Sequence, residues 1–396
     1  MRTLISIILI GICLYLLSCQ DQVQVEDSLK GTYSLNTEDG KTYSIQLIRA
    51  RDGVVYGTID LQSDTAHFDA PLTLDKDSPD SLRLGLWYGS RYIALAKGKE
   101  MKGKAKIEDG IVNVKMEKIW PEVSEDLEAS ANMTPLPLSA EAPAFCTFKS
   151  DGSIYLIGWS DHKIYLVKET EEGWEETPVP YDEEKYTFSS IGLSPDEKML
   201  VAHGSRIFPP AADQEKGSIY LLHLSDETRI DSVQKLPNSI NTPSYDNFPD
   251  FTASGDIIFS SWGAAAGETK AGRGDLYRST YRDSEWTTLP LSSVLNTYMS
   301  DAGPSMNQGE TAVFFHRNAR KPKPMADKIF ASKKQGREWE AAFRLPPPIN
   351  ITHSGQYGPR LDPKGEYFYW TSHHRGKGHL YRIRVSEVPE LASLLN

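Results

Sequence analysis

Between residues 142 and 396 the chain repeats one two-strand phrase five times: "PAFCTFKSDGSIYLIGWS", "FSSIGLSPDEKMLVAHGS", "FPDFTASGDIIFSSW", "GPSMNQGETAVFFHR" and "GPRLDPKGEYFYWTS". In each copy a short strand meets a turn, at Asp151-Gly152, Asp196-Glu197, Ser254-Gly255, Gln308-Gly309 or Lys364-Gly365, and an apolar strand follows. The second strand is apolar at consecutive positions, as from Tyr367 to Trp370. That pattern belongs to a sheet covered on both faces. A third strand carries Ile164-Tyr165, Ile219-Tyr220, Leu276-Tyr277, Ile329-Phe330 and Leu380-Tyr381, and a fourth begins near Trp174, Trp286 and Trp339. Three copies close on "LPNSINT", "LPLSSVLNT" and "LPPPINIT". Four strands per unit, recurring every roughly 45 to 58 residues, predict a β-propeller.

The order of elements resembles the TolB-type, WD40-like propeller repeat, with "LSPDEKML" and "GRGDLYR" the nearest phrases. Asp275 fits that repeat's acidic position, whereas Lys163, Ser218, Lys328 and His379 occupy it in the other copies. The resemblance implies an all-β propeller of five or six four-stranded blades and protein partners. Five copies are visible; a sixth blade would have to draw on residues N-terminal to them.

Ahead of the repeats, "GTYSLN", "KTYSIQLIRA", "VVYGTIDL", "SLRLGLWY", "RYIALAKG" and "IVNVKMEKI" are rich in β-branched and aromatic residues and are punctuated by Asp39-Gly40, Asp52-Gly53 and Asp109-Gly110. Asp-Gly between such runs marks hairpins. Residues 28–120 are therefore read as a small antiparallel β-barrel or sandwich, and 121–141, rich in Pro, acidic and small residues, as a linker to the propeller at 142–396.

The first residues read as an address. Arg2 and the apolar "LISIILIGICLYLL" suit a secretory signal and are short for a membrane span. Leu16-Leu17-Ser18-Cys19 resembles the bacterial lipobox, which implies a signal peptide over 1–18, acylation of Cys19 and a polar tether over 19–27. More than one acyl chain gives lasting membrane attachment. The resemblance implies a lipid-anchored protein of the bacterial outer membrane, its face left open. Cys13 leaves with the signal, so Cys146 is the one thiol of the folded part and no disulfide forms within the mature chain. A net charge of −11 repels phosphate backbones, and nucleic acid is not an expected partner.

No zinc-protease helix, nucleophile elbow or phosphate loop is present, and neither cofactor nor metal is expected. His373, His374 and His379 are the densest metal-type cluster but fall on a blade turn, and Arg273-Gly274-Asp275 is explained by the repeat phrase. The segments leading into the innermost strands, "SYDNFP", "MSDAGP" and "SGQYGP", place Tyr245, Asp246, Asn247, Ser300, Asp301, Gln356, Tyr357 and Arg360 at one mouth of the channel. Aromatic faces beside amides and carboxylates suit a sugar or a peptide terminus. The same groups are also placed to hydrogen-bond blade to blade. Two functions follow: a non-catalytic binding module for an envelope protein, peptidoglycan or a glycan, or a glycan-cleaving or hydrolytic enzyme drawing on His203, His316, Asp246, Arg360 and Tyr357.

Overall fold

The computed structural model describes residues 31–395 apart from 39, 41, 50–54, 62–65, 69–71, 75–80, 87–90, 97–100, 108–109, 121–132, 140–142, 159–160, 207–216, 264–273, 298, 320–324, 351–354 and 376. The signal, Cys19 and the tether lie outside the described residues. The chain divides into two compact units, Met1–Met133 with His374–Gly376, and Thr134–His373 with Lys377–Asn396.

In the first unit nine strands follow one another: β1 (Gly31–Thr37), β2 (Thr42–Arg49), β3 (Val55–Leu61), β4 (Ala66–Phe68), β5 (Leu72–Leu74), β6 (Ser81–Leu86), β7 (Arg91–Ala96), β8 (Met101–Ile107) and β9 (Gly110–Trp120). Their order in the sheet is 4-3-2-1-9-8-7-6-5. Consecutive strands pair antiparallel except β4 and β5, the two ends of the order; β9 returns to pair with β1, and β3 lies against β5. This is the meander of an up-and-down barrel, and all its strands belong to one sheet. None is left to form a sixth propeller blade among the described residues.

The second unit is a five-bladed propeller. Blade one holds β10 (Pro143–Phe148), β11 (Ile154–Gly158), β12 (Ile164–Thr170) and β13 (Gly173–Pro178). Blade two holds β14 (Tyr186–Leu193), β15 (Met199–Arg206), β16 (Ser218–Asp226) and β17 (Arg229–Lys235). Blade three holds β18 (Asp246–Phe251), β19 (Ile257–Ser261), β20 (Asp275–Arg282) and β21 (Glu285–Pro290). Blade four holds β22 (Ser300–Met306), β23 (Ala312–Ala319) and β24 (Met325–Gln335), with the outer position shared by β25 (Glu338–Trp339) and β26 (Phe343–Arg344). Blade five has three strands of its own, β27 (Gln356–Leu361), β28 (Tyr367–Arg375) and β29 (Lys377–Arg384). The five first strands close a ring, each meeting the next and β27 meeting β10.

All five repeated turns join a first strand to a second. Gly152, Gly255 and Gly365 take positive φ there (91°, 85° and 71°), and in the second copy Glu197 takes the same conformation at 58°. The second strands are buried on both faces, as Ile154–Gly158 and Ile257–Ser261 are throughout. Each blade-to-blade layer is apolar: Val201 and Ile219 of blade two against Ile257, Phe259 and Tyr277 of blade three, and Leu276 and Leu295 of blade three against Val313 and Phe315 of blade four. At roughly 1.5–3 kcal/mol per fully buried large side chain, these layers are the main source of the ring's stability.

Blade five is completed by residues read from sequence as linker. Leu136 donates its backbone N–H to the carbonyl of Leu380 in β29 (2.9 Å), and Leu136 and Leu138 pack onto Cys146, Leu156, Tyr369 and Leu380. The last copy has no fourth strand after β29. It runs through a 3-10 turn (Val385–Glu387) into a short helix, α1 (Pro389–Leu395), which buries Leu391 and Leu394.

Candidate functional site

Three of the five innermost strands carry the same irregularity, and it shapes the axis of the ring. The ladder register jumps between Asn247 and Asp250, between Ala302 and Ser305, and between Tyr357 and Arg360. Each jump contains a residue at positive φ followed by a proline: Phe248 (51°), Gly303 (61°) and Gly358 (61°). Proline has no N–H for the ladder, and the bulge turns the strand locally. Phe248 is a bulky side chain in a left-handed conformation that the other two copies assign to glycine, an outlier of the kind found at functional sites.

The ring of Phe248 lies among aromatic groups from four other blades. It stacks on Phe145 of blade one at 4.8 Å between centroids and meets His203 of blade two at 6.4 Å and His316 of blade four at 5.2 Å. Tyr357 of blade five completes the cluster against Phe145 (5.7 Å) and His316 (6.3 Å). Arg360 draws groups from several blades together. Its Nε donates to the carbonyl of Cys146 (3.1 Å), its guanidinium also reaches the carbonyls of Pro304 and Pro359, and Asp250 stands 3.6 Å away. Burial pushes the Asp250 carboxyl up, to about 6, while the Arg360 charge pulls it down. Blade two approaches closely here, because a Cβ at Gly192 would come within 2.7 Å of the Asp250 backbone.

The closing phrases "INT", "LNT" and "INIT" are explained by their asparagines. Asn350 accepts from the Ile329 N–H (2.8 Å) and donates to the carbonyls of Ile329 (2.7 Å) and Leu345 (2.8 Å). Asn241 makes the equivalent bonds to Ile219 and Leu236, and Asn296 bonds both the N–H and carbonyl of Leu276. Each side-chain amide thus takes the place of a peptide beside the third strand of its blade.

The eight residues predicted at the mouth separate into two groups. Asp246 and Asp301 are fully buried and accept from the backbone N–H groups of Thr242 (2.6 Å) and Thr297 (2.9 Å), four residues earlier in each case. Asp301 also pairs with Arg317, which donates onward to the carbonyl of Leu295. Burial raises both carboxyls, against the hydrogen bonds that lower them. Gln356 is buried too and accepts from Lys328 Nζ at 3.2 Å; burial brings that ammonium down to about 7. Arg360 and Tyr357 belong to the axial cluster described above, and burial drives the Tyr357 phenol well upward.

Tyr245, Asn247 and Ser300 form the second group. Tyr245 is 40% exposed, packs edge-on against His203 (5.0 Å) and Trp262 (5.5 Å), and its hydroxyl bonds Asn247. Ser300 accepts from the Gly274 N–H at 3.3 Å, beside Trp262. Sequence reasoning missed Trp262, Phe248 and Phe145. Alignment of the copies carried one signal for them, phenylalanine at 248 where the fourth and fifth copies have glycine.

Four buried side-chain polar atoms among the described residues have no hydrogen-bond partner: Ser190 Oγ, His203 Nε2, Asn247 Oδ1 and His316 Nδ1. Burial lowers His203 to about 4 and lowers His316 as well, so both imidazoles are neutral at pH 7. Ser189 Oγ lies 2.7 Å from His203 Nδ1 and fixes the ring's orientation. No group of metal-ligating residues occurs among the described residues. The side chains of His373 and His374 lie outside them, as does Arg273.

No family model matches the chain, and no curated protein does. Solved structures with a similar course include TolB from Acinetobacter baumannii (11% identical, 88% of this chain and 79% of that one, TM-score 0.39). Others are the PQQ-bound aldose sugar dehydrogenase of Streptomyces coelicolor (11%, 64% and 98%, 0.39) and a catalytically inactive virginiamycin B lyase of Staphylococcus aureus with quinupristin (15%, 89% and 96%, 0.33). The five-bladed fold of this chain stands on its own strand order and ring closure.

Proposed function

We propose that the propeller is a binding module, held at the bacterial outer membrane by acyl chains on Cys19, which offers its channel mouth to another envelope protein, to peptidoglycan or to a glycan and works without catalysis. One observation supports this reading above the others. Of the groups at the mouth and axis that hydrolytic chemistry would use, the carboxylates and the guanidinium are engaged inside the ring: Asp246 by Thr242, Asp301 by Thr297 and Arg317, Arg360 by Asp250 and three carbonyls. What remains exposed toward a partner among these residues is the ring of Tyr245. The test is affinity capture from detergent-solubilised envelope with the full chain, with a Tyr245→Ala variant and with Cys19→Ala. Recovery of one component by the parent and by Cys19→Ala, but not by Tyr245→Ala, is the expected result; equal recovery by all three places recognition elsewhere.

An enzyme with its site in the channel is the second reading, favoured by His203, His316 and Tyr357 standing together round Phe248. Saturable turnover of a polysaccharide or peptide that disappears in His203→Ala would put it first.

A further inference from the structure

The ladders of three innermost strands break at the axis, and at two of the breaks the residue at positive φ is glycine, Gly303 and Gly358. Gly303 has space for nothing larger, since a Cβ there would lie 2.6 Å from the His316 ring. The third break carries Phe248 in the same left-handed conformation. For a bulky residue this is an outlier, and it persists only where the surroundings hold it. Here they do. The ring stacks on Phe145 and meets His203 and His316, so one side chain of blade three touches blades one, two and four.

Burial orders the cluster. Phe145, His203, His316 and Tyr357 expose 2%, 5%, 4% and 7% of their surface. Phe248 is half-buried and is the member of the set that meets solvent. Among the residues it shields, His203 Nε2 and His316 Nδ1 have no hydrogen-bond partner, and both imidazoles are neutral at pH 7. A neutral imidazole nitrogen of that kind reacts with an acylating reagent able to reach it, which makes the shielding measurable.

We propose that Phe248 is a plug, whose ring closes the axial channel of the propeller and keeps solutes from His203, His316 and Tyr357. The proposal goes beyond the binding-module reading and holds for any partner at the mouth. It also sets a condition on the enzyme reading, because a substrate would reach these imidazoles only past Phe248. The left-handed backbone is what delivers the ring to the axis, and glycine at the two equivalent breaks leaves the space to it.

The experiment is carbethoxylation of the full chain with diethyl pyrocarbonate, followed residue by residue by mass spectrometry, with the partly exposed His223 as internal reference. Phe248→Gly removes the ring and gives the third break the residue of the other two. Relative to His223, both His203 and His316 should react at least tenfold faster in this variant than in the parent. Phe248→Leu keeps a large apolar side chain and should stay within about threefold of the parent. Phe145→Ala removes a fully buried ring of the same cluster and should expose neither histidine, which separates a plug from general loosening of the core. Melting temperature is recorded for every variant. Unchanged protection of both histidines in folded Phe248→Gly, or equal exposure in Phe145→Ala, overturns the proposal. Reaction of both histidines in the parent at the rate of His223 overturns it without any variant, so the proposal stays open to refutation even if Phe248→Gly fails to fold.

Discussion

Asn241, Asn296 and Asn350 hold the ends of three blades with one side chain each. Asn350 is fully buried and makes three bonds, so Asn350→Ala leaves the Ile329 N–H and two carbonyls without partners. The cost expected is roughly 2–4 kcal/mol, seen as a fall in melting temperature of about 5–10 °C; Asn241→Ala should behave alike. A change under about 0.5 kcal/mol would mean the amides are not structural. Histidines at the axis set a pH dependence. His203 is held near 4 against its ordinary 6.5, so the unfolded chain takes up its proton first as pH falls. Its contribution is complete above pH 6.5 and declines toward pH 4, by about 2 kcal/mol at pH 5; His316 acts in the same direction. Asp250, raised to about 6 from 3.8, works oppositely, since the folded chain protonates first, and returns about 1 kcal/mol over the same range. The balance predicts a lower melting temperature at pH 5 than at pH 7, and a smaller drop in His203→Gln. An equal drop in that variant would show that His203 is not the sensor. Of the eight residues read from sequence at the mouth, Tyr245 is exposed, whereas Asp246, Asn247, Asp301, Gln356, Tyr357 and Arg360 are buried. Sequence could not tell an acid facing a ligand from one capping its own loop. The spacing Thr242 to Asp246, repeated as Thr297 to Asp301, is the sign that these two cap their own loops.

At the scale of the strand, the turns were the clearest text. Glycine at a left-handed position followed by an apolar strand has few alternatives, and the repeat multiplies the signal. The segment that lies against β29 of blade five was hidden because "TPLPLS" carries Pro135 and Pro137 and reads as linker. An edge position tolerates proline where a central strand does not, and the alternating leucines between them reach the core. Strand β8, "MKGKAKI", was missed in the first unit for a related reason: Lys, Gly and Ala leave almost no apolar alternation to detect. The blade-five segment joins the two ends of the ring, because it precedes β10 in the chain and bonds to β29. Leu136→Asp with Leu138→Asp should therefore destabilise the whole propeller, not blade five alone. A single cooperative transition shifted downward in calorimetry is expected. A split into two transitions would contradict closure by this segment.

Across the molecule, five blades are enough. The first strands close a ring from β10 to β27, and the residues that might have supplied a sixth blade belong to the nine-stranded sheet of the other unit. Within that ring Arg360 ties blade five to blade one, Asp301 pairs with Arg317 inside blade four, and Tyr245 stands exposed beside His203 and Trp262. The central claim is that recognition happens at this mouth. It is tested most directly by replacing Tyr245 with a photoreactive benzoylphenylalanine in the full chain, illuminating intact envelopes, and comparing a chain with the same probe at Tyr281, 55% exposed on the outer part of blade three. The account predicts a defined covalent adduct, protein or glycan, from position 245 and none from 281. Adducts from 281 with none from 245 would contradict it.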